Sequence, residues 1–261
     1  MDRMEFISRN DSVEVRDVSD GVQLRVLTSG ELGSRELTTC LVVFQPSSSL
    51  AYHNHPCGEA ITVLEGSADV KIEGRRYRLG RFDSVYVPSG VAHAMENPGD
   101  TPNLIHTAFP TSTVEREFLK DHFETVDCDV ADPSSPESLR RFADAAPSEV
   151  AISVEARDLF AKRFGSRGIC GGYGLFQPGS SLFCHTHDYD ESITIVTGEA
   201  VCQVAGKQYI MSAGDNACVP NGHPHRFLNL ADGPMEMMWV YAGDEPDRIV
   251  VDHVLCQPIV E

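Results

Sequence analysis

The chain has 261 residues, and 21 basic against 39 acidic residues give it a formal net charge of −18. So acidic a surface repels phosphate backbones and anionic lipids, which argues against a nucleic-acid or membrane role. No apolar run approaches the roughly 20 residues that span a bilayer. The charged start, from Met1 to Glu5, lacks the apolar core of a signal peptide.

The eight cysteines give no sign of a disulfide framework or a redox motif. They form no Cys-x-x-Cys pair, and a chain of this length has no need of covalent cross-links to fold. Disulfides persist in oxidising compartments and are rare in the cytosol. We therefore expect reduced thiols in a cytoplasmic protein.

The first half of the chain is predicted to form short β-strands separated by turns. Four runs are rich in β-forming residues, and glycine-containing turn signals at 65–67, 73–75 and 88–90 follow the last three of them. Many short, evenly spaced strands are typical of a β-sandwich or barrel. The four runs are 41–44, 61–64, 68–72 and 84–87.

The middle of the chain differs from both halves. Residues 113–123 and 136–145 carry Glu, Arg, Leu, Phe and Ala at helical spacing, and the Pro-Ser-rich stretch 132–136 separates them. Ser135 is placed to cap the second segment, with Pro136 at its first position. We expect a short helical connector over 113–150, and a solvated linker is the alternative.

The second half repeats the first at a constant offset. Phe44-Gln45-Pro46 falls on Phe176-Gln177-Pro178, and no insertion or deletion is needed between positions 25 and 109. A duplicated domain follows, and we predict an all-β chain of two units, 1–112 and 151–261, around the connector. Eight further residues recur, as His53, His55, Glu59, Gly66, Pro88, Gly90, His93 and Asn97 meet His185, His187, Glu191, Gly198, Pro220, Gly222, His225 and Asn229.

Each half contains a potential metal site of three histidines and one glutamate. Histidines at i and i+2 of a strand point to the same face, so both imidazoles of such a pair enter one cavity. A turn brings the glutamate back beside them, and a Pro-x-Gly turn precedes the third histidine. This donor set suits a divalent transition metal with open positions for substrate or dioxygen. The predicted ligands are His53, His55, Glu59 and His93 in the first half, and His185, His187, Glu191 and His225 in the second.

These residues resemble the two conserved motifs of the cupin superfamily, in its two-domain bicupin form. The second half matches both motifs in full, from Gly179 to Gly198 and from Gly214 to Asn229. The first half departs at Ser47 and Phe82, which stand where the motifs have glycine. The resemblance implies two tandem jelly-roll (double-stranded β-helix) barrels, each with one divalent metal, iron or manganese before zinc, nickel or copper. Cupins commonly pair barrels through exposed sheet faces, so a homodimer is left open.

Strand parity predicts what else faces each cavity. Ala51 and Met95 in the first half, and Phe183 and Phe227 in the second, are expected beside the ligands, with the second well the narrower. A guanidinium suits a substrate carboxylate, so Arg35 and Arg167, which recur at the repeat offset, are candidates for substrate binding. A repeated salt bridge or inter-domain contact is the favoured alternative. Asp188, Tyr189 and Asp190 lie between two ligands and are candidate proton carriers.

The resemblance does not fix the reaction, because cupins include many enzymes and also binding proteins. We favour an enzyme acting on a small oxygenated metabolite, a carboxylate, keto acid or enediol, by dioxygenase-type oxidation. A non-redox isomerase, decarboxylase or lyase is the chief alternative, and a metal-dependent binding protein is the third. Oxalate decarboxylation, a known bicupin activity, is disfavoured because no lid glutamate paired with a pocket arginine is evident.

Overall fold

The structure, a computed structural model, describes residues 3–120 and 122–259. Across these residues it is almost entirely β, with four one-turn 3-10 helices at Gly30–Leu32, Phe142–Asp144, Lys162–Phe164 and His253–Cys256. None of its helices has the length and hydropathy to span a membrane. The first eleven strands are β1 (Phe6–Ser8), β2 (Arg16–Ser19), β3 (Val22–Thr28), β4 (Thr38–Phe44), β5 (Ser49–Asn54), β6 (Glu59–Glu65), β7 (Ala68–Ile72), β8 (Arg75–Leu79), β9 (Ser84–Val87), β10 (His93–Glu96) and β11 (Asn103–Phe109).

The remaining strands repeat this order after three short ones. Each half folds into two facing sheets, as the prediction of two tandem cupin barrels requires. The strands are β12 (Glu117–Phe118), β13 (Val126–Asp127), β14 (Ser138–Arg140), β15 (Ser148–Ala151), β16 (Val154–Phe160), β17 (Cys170–Phe176), β18 (His185–Thr186), β19 (Glu191–Thr197), β20 (Glu199–Val204), β21 (Lys207–Ser212), β22 (Asn216–Val219), β23 (His225–Leu228), β24 (Met235–Tyr241) and β25 (Ile249–Val250).

The sheet order shows that the two barrels share strands. The first barrel consists of a seven-stranded sheet, β14-β9-β6-β11-β4-β3-β2, facing a six-stranded sheet, β12-β5-β10-β7-β8-β13. The second consists of β1-β22-β19-β24-β17-β16-β15 facing β21-β20-β23-β18-β25. Thus β1 pairs with the second barrel and β14 with the first. These two strands occupy equivalent positions in the repeat, so the exchange is reciprocal and ties the halves together.

Both faces of the large sheets are buried. On β6, Ile61 and Val63 point into the first barrel's core, while Ala60 and Leu64 pack in a separate cluster between the barrels. That cluster also contains Met238 and Val240 of the second barrel. A strand covered on two faces carries apolar residues on both, as residues 60 and 64 on one face and 61 and 63 on the other illustrate.

The predicted helical connector is wrong. Between residues 113 and 150 the described chain contains β12, β13, β14, the start of β15 and one 3-10 turn. β12 pairs with β5, β13 runs parallel to β8, and β14 pairs with β9. The barrel edges offer unpaired backbone groups, and pairing with them outweighs the modest helix propensity of this segment.

The prediction of reduced thiols is wrong for two of the eight cysteines. Cys184 and Cys256 form a disulfide across a sequence separation of 72 residues, with their Cα atoms 6.0 Å apart. Cys184 directly precedes the second barrel's first histidine, and Cys256 ends the last 3-10 turn. No spacing motif marks such a pair, because only the folded chain brings the two residues together.

The glycine departures of the first half leave its turns intact. Ser47 and Phe82 adopt φ angles of 61° and 63°, the left-handed conformation that Gly179 and Gly214 adopt at 77° and 86°. Non-glycine residues populate this region at a modest cost. The first barrel therefore preserves the turn shape with residues less suited to it.

Candidate metal centres

The structure brings the predicted ligands together into two clusters, one in each barrel. Within each cluster the four potential donor atoms lie within 4.8 Å of one another, and all eight side chains are buried. The clusters consist of His53, His55, Glu59 and His93, and of His185, His187, Glu191 and His225.

Strand pairing places the ligands. His93 opens β10 directly opposite His53 on β5, and Glu59 opens β6 after a short turn. In the second barrel, His225 lies opposite His185 in the same way. The Pro-x-Gly turns before the third histidines close onto the second ones, since Gly90 donates to the carbonyl of His55 and Gly222 to that of His187.

Backbone carbonyls orient all six imidazoles. Each Nδ1 donates to a carbonyl oxygen, which leaves the Nε2 lone pair directed into the cluster. The second histidine of each barrel bonds a carbonyl far along the chain, Glu115 for His55 at 2.5 Å and Asp247 for His187. The other four bond carbonyls two residues before them, at 2.8–3.0 Å, in Ala51, Val91, Phe183 and His223.

The inward atoms have the chemistry of metal ligands. Among the described residues, Nε2 of His53, His55, His187 and His225 is buried without a hydrogen-bond partner, as is Oε2 of Glu191. Buried polar atoms are nearly always partnered, so such a convergence of acceptors without hydrogen bonds fits the coordination of a cation. Three imidazoles and a carboxylate fit a divalent transition metal.

The protonation states agree with this donor set. Burial lowers the pKa of both His53 and His185 to about 3, which keeps these imidazoles neutral. Burial opposes the charge of Glu59, yet the adjacent imidazoles of His55 and His93 hold its pKa well below the usual range. Glu191 is likewise held ionised against burial, by His225 and His187. Each cluster thus offers one negative charge to an ion.

Comparison with known proteins identifies the family. The cupin domain profile matches residues 40–109 and 172–241, which together make up more than half of the chain and are related by the repeat offset. The chain belongs to the cupin family. The two matched segments confirm the predicted duplication, and each contains one complete ligand cluster.

Curated relatives match only parts of the chain. The tetracenomycin polyketide synthase protein TcmJ of Streptomyces glaucescens is 36% identical over 76 residues, which is 29% of this chain and 46% of that protein. A mannose-1-phosphate guanylyltransferase of Escherichia coli is 41% identical over 54 residues, 21% of this chain and 11% of that protein. The chain thus spans less than half the length of these relatives.

Solved structures match almost the whole chain. A mutant of oxalate decarboxylase OxdC from Bacillus subtilis superposes with a TM-score of 0.78 at 20% identity, over 96% of this chain and 80% of that one. Another structure of that enzyme, studied for its Mn(II) centres, gives a TM-score of 0.76 at 18% identity over the same shares. At this identity the matches show the bicupin fold.

A narrow well reaches the metal cluster of the second barrel. Its volume is about 20 Å³, room for roughly one water molecule. Three of the four ligands lie in its wall, together with apolar side chains, the guanidinium of Arg248, the phenol of Tyr241 and the carboxylate of Glu155, which is paired with Arg157. The apolar wall includes Leu182, Ile193, Phe227, Met237 and Trp239.

The first barrel fills the corresponding space. Leu24 and Val42 pack in its core where the second barrel has Ala156 and Gly174, both of which line the well. Met95 is buried in the same core and is the repeat equivalent of Phe227. The expectation that the second well is the narrower is therefore wrong.

A β-bulge explains why Ala51 and Phe183 do not face the wells. His53 pairs with His93, but Met95 pairs with Leu50, so β5 contains one extra residue between these pairs. The bulge reverses the parity, turns Ala51 to the surface and directs Leu50 inward. Phe183 occupies the equivalent place and is 62% exposed, which corrects its assignment as a lining residue.

The three candidate proton carriers lie outside the well. Asp188 is exposed. The ring of Tyr189 stacks on His187 at 5.4 Å between centroids, and its hydroxyl accepts from the backbone N–H of Asp247 at 2.8 Å. Tyr189 therefore supports a ligand from behind.

Asp190 is a structural residue between the barrels. It is fully buried and accepts hydrogen bonds from Arg3 at 2.6 Å, Ser34 at 3.1 Å and the N–H of Arg35 at 2.8 Å. These partners hold its pKa below the usual value against the opposing effect of burial. A carboxylate so engaged is unsuited to proton transfer, so its candidate role is wrong.

The paired arginines Arg35 and Arg167 are exposed and do not reach the wells. Each of the two residues uses a backbone group to bond a residue of the other barrel. The N–H of Arg35 donates to Asp190 of the second barrel, and the carbonyl of Arg167 accepts from Tyr86 of the first at 3.4 Å. The structure therefore contains the inter-domain contact that was the alternative to substrate binding for these two arginines.

Sequence reasoning missed the arginines that do lie near the clusters, Arg116 and Arg248. Each directly follows the residue whose carbonyl orients the second histidine, Glu115 or Asp247. Arg248 lines the well and its Nε donates to the hydroxyl of Tyr241 at 3.2 Å. The two arginines are related by the same repeat offset, so extending the repeat comparison beyond position 109 would have found them.

Proposed function

We propose that the chain is a metal-dependent enzyme that oxidises a small carboxylate-bearing metabolite in its second barrel, by dioxygenase-type chemistry. The observation that carries the proposal is the guanidinium of Arg248 in the same apolar well as His185, Glu191 and His225. A guanidinium beside a metal site suits a carboxylate, which it binds through two parallel hydrogen bonds.

The residues of the well have separable roles. His185, His187, Glu191 and His225 would hold a divalent metal, iron or manganese by preference. Such an ion supplies Lewis acidity and, where redox-active, electron transfer with dioxygen. Arg248 would anchor the carboxylate, and Tyr241 keeps its Nε in place. The Nη groups make no hydrogen bond within the described residues and are thus free for a ligand.

The walls of the well favour a small substrate and the exclusion of water. The volume of about 20 Å³ holds roughly one water molecule, so even a small acid enters only when the segment that carries Arg248 moves outward. Apolar walls strengthen the attraction between Arg248 and an anion, because little water competes. Acids and keto acids of two to four carbons are the substrates that we expect to react fastest.

A non-redox reaction is the second candidate, and one residue favours it. Tyr241 lies in the well, and burial raises its pKa well above the usual value, so its phenol carries a proton at neutral pH. A protonated group beside the anchored carboxylate suits decarboxylation or isomerisation. The bicupin with which the fold was compared is an oxalate decarboxylase, and the absence of a pocket arginine no longer counts against such chemistry here.

The test is turnover by the full chain loaded with Fe(II) or Mn(II), offered a panel of two- to four-carbon acids and keto acids. Oxygen uptake matched to substrate loss supports the dioxygenase proposal. Substrate loss without oxygen uptake supports the second candidate. Saturable binding without turnover contradicts both and identifies a binding protein.

Two arginine variants sharpen that test. Arg248→Met is expected to lower kcat/KM by roughly tenfold or more, because a hydrogen bond to a charged group contributes about 1.5–3 kcal/mol. Arg167→Met removes an exposed arginine of the same barrel and is expected to retain the wild-type value. Equal values for wild type and Arg248→Met would refute the anchoring role.

A further inference from the structure

The first barrel has a cavity of its own, separate from the well described above. Its volume is about 340 Å³, and its lining, all within the described residues, includes none of that barrel's four ligand candidates. Phe109 stands between the cavity and the cluster, since its ring packs 5.1 Å from the imidazole of His55. The cavity therefore lies at the mouth of the barrel, outside the metal centre.

In the second barrel, ion pairs bridge the rim at the corresponding place. There the loop at 162–163 is joined to the loop at 244–245 by ion pairs, Lys162 with Asp244 at 3.0 Å and Arg163 with Glu245. The backbone contact between the two loops is the same in both barrels. Only the side chains differ, since the first barrel has Gly30, Glu31, Ser112 and Thr113 at these positions.

Among the described residues, the Nε of Arg116 has no hydrogen-bond acceptor in this cavity. This nitrogen is buried. In the second barrel the equivalent atom of Arg248 donates to the hydroxyl of Tyr241, but the residue equivalent to Tyr241 is Phe109, which has no hydroxyl. A buried donor left without an acceptor is unfavourable, so the site is built for an acceptor from elsewhere.

The rest of the lining defines the ligand. Val18, Leu24, Val26, Cys40 and Phe109 provide apolar walls. The other charged groups are Glu31 and Arg16, whose guanidinium is paired with Glu14 at 2.8 Å. Arg116 is thus the lining cation without an anionic partner among the described residues, and the hydroxyl groups of Ser29, Ser112 and Thr113 at the rim add donors.

We propose that this mouth cavity of the first barrel binds a small organic carboxylate with an apolar body, whose carboxylate accepts hydrogen bonds from Arg116. The site is additional to the reaction proposed for the second barrel and does not depend on it. Its ligand is held by the cavity and not by the metal, so binding and turnover are separable properties of this chain.

The test is isothermal titration of the metal-loaded full chain with benzoate, and with benzamide as a neutral control of the same shape. We expect saturable binding of benzoate near one equivalent and none of benzamide. Arg116→Met is expected to weaken benzoate binding by roughly tenfold or more, since a charge-assisted hydrogen bond is lost. Arg167→Met, which removes an exposed arginine of the second barrel, is expected to keep the wild-type affinity.

A second variant keeps the test valid if Arg116→Met fails to fold. Phe109→Tyr places a hydroxyl where Tyr241 has one, so the Nε of Arg116 gains an internal acceptor and benzoate affinity falls. The proposal is overturned by any of four results: no saturable binding, equal affinity for benzoate and benzamide, wild-type affinity in Phe109→Tyr, or loss of binding in Arg167→Met.

Discussion

The two barrels share a ligand set, a repeat register and even an exchanged edge strand, yet they open in different places. In the second barrel, Gly174 and Ala156 leave a narrow well that reaches the metal cluster. In the first, Val42 and Leu24 fill that space, while the mouth above it is wide. Duplication thus preserved the residues that hold a metal and changed those that decide what approaches it. The comparison teaches that ligand motifs alone do not reveal where a substrate binds.

The largest effect is expected from removing a metal ligand in either barrel. His185→Ala should lower the metal content from two equivalents per chain to one and abolish turnover, because its imidazole lies in the wall of the well. His53→Ala should also remove one equivalent but leave measurable turnover. Elemental analysis and a turnover assay give both values. Turnover lost only in His53→Ala would reverse the assignment of the two barrels.

The next effect comes from exchanging one residue between the barrels. Gly174→Val introduces the first barrel's residue, and its Cβ alone would lie 3.0 Å from Cγ of Met237. We expect the added methyl groups to fill the well and lower kcat/KM by roughly tenfold or more without loss of metal. Val42→Gly, the reverse change, should cost about 3 kcal/mol in the free energy of unfolding. A Gly174→Val protein with wild-type kinetics would show that substrate does not enter by this well.

The disulfide provides a third contrast. Cys184–Cys256 fastens the C-terminal segment to the second barrel, and the equivalent positions of the first are Tyr52 and Glu124. There Tyr52 packs on Phe123, with ring centroids 4.8 Å apart.

The double variant Cys184→Ser, Cys256→Ser should reduce the free energy of unfolding by about 2–4 kcal/mol. Tyr52→Ala should reduce it by about 1–2 kcal/mol. Urea denaturation of oxidised proteins measures both, with reduced wild type expected to behave as the double variant. Equal stability of oxidised and reduced wild type would contradict the expectation.

A further contrast concerns the contact between the barrels. Asp190 accepts three hydrogen bonds from residues of the first barrel's side. The equivalent residue is Gly58, and the ring of Tyr86 occupies the place where a side chain there would lie. Asp190→Asn should cost about 2 kcal/mol at neutral pH, because a charged acceptor is lost.

That difference should depend on pH in a defined direction. The pKa of Asp190 is lowered in the folded state, so its stabilisation is present at neutral pH. It is lost as the pH falls from the ordinary carboxyl value of about 3.9 through the lower folded value. Unfolding curves of wild type and Asp190→Asn should therefore converge in acid. A gap that stays constant or widens on acidification would exclude ionised Asp190 as the cause.

Much of the site was predictable because it depends on local spacing. Alternation along a strand places His53 and His55 on one face. The internal repeat shows the same pattern a second time, so the ligand clusters follow from the sequence. Parity was misleading at Ala51 and Phe183, since a bulge inserts one residue just before the first ligand. Bulges have no clear sequence signature here, and a single one reverses the face of every residue beyond it.

The sequence by itself determined the two-barrel fold, its duplication and the eight ligands, because each of these depends on residue type and spacing within one half of the chain. Only the tertiary structure decided the strand exchange, the disulfide, the burial of Asp190 between the barrels and the different openings. The strand exchange, the disulfide and the contacts of Asp190 join residues that are distant in the chain, and the disulfide alone spans 72 positions. Their pairing depends on which edges and cavities the folded barrels leave unfilled, a property of the packed molecule that no local pattern encodes.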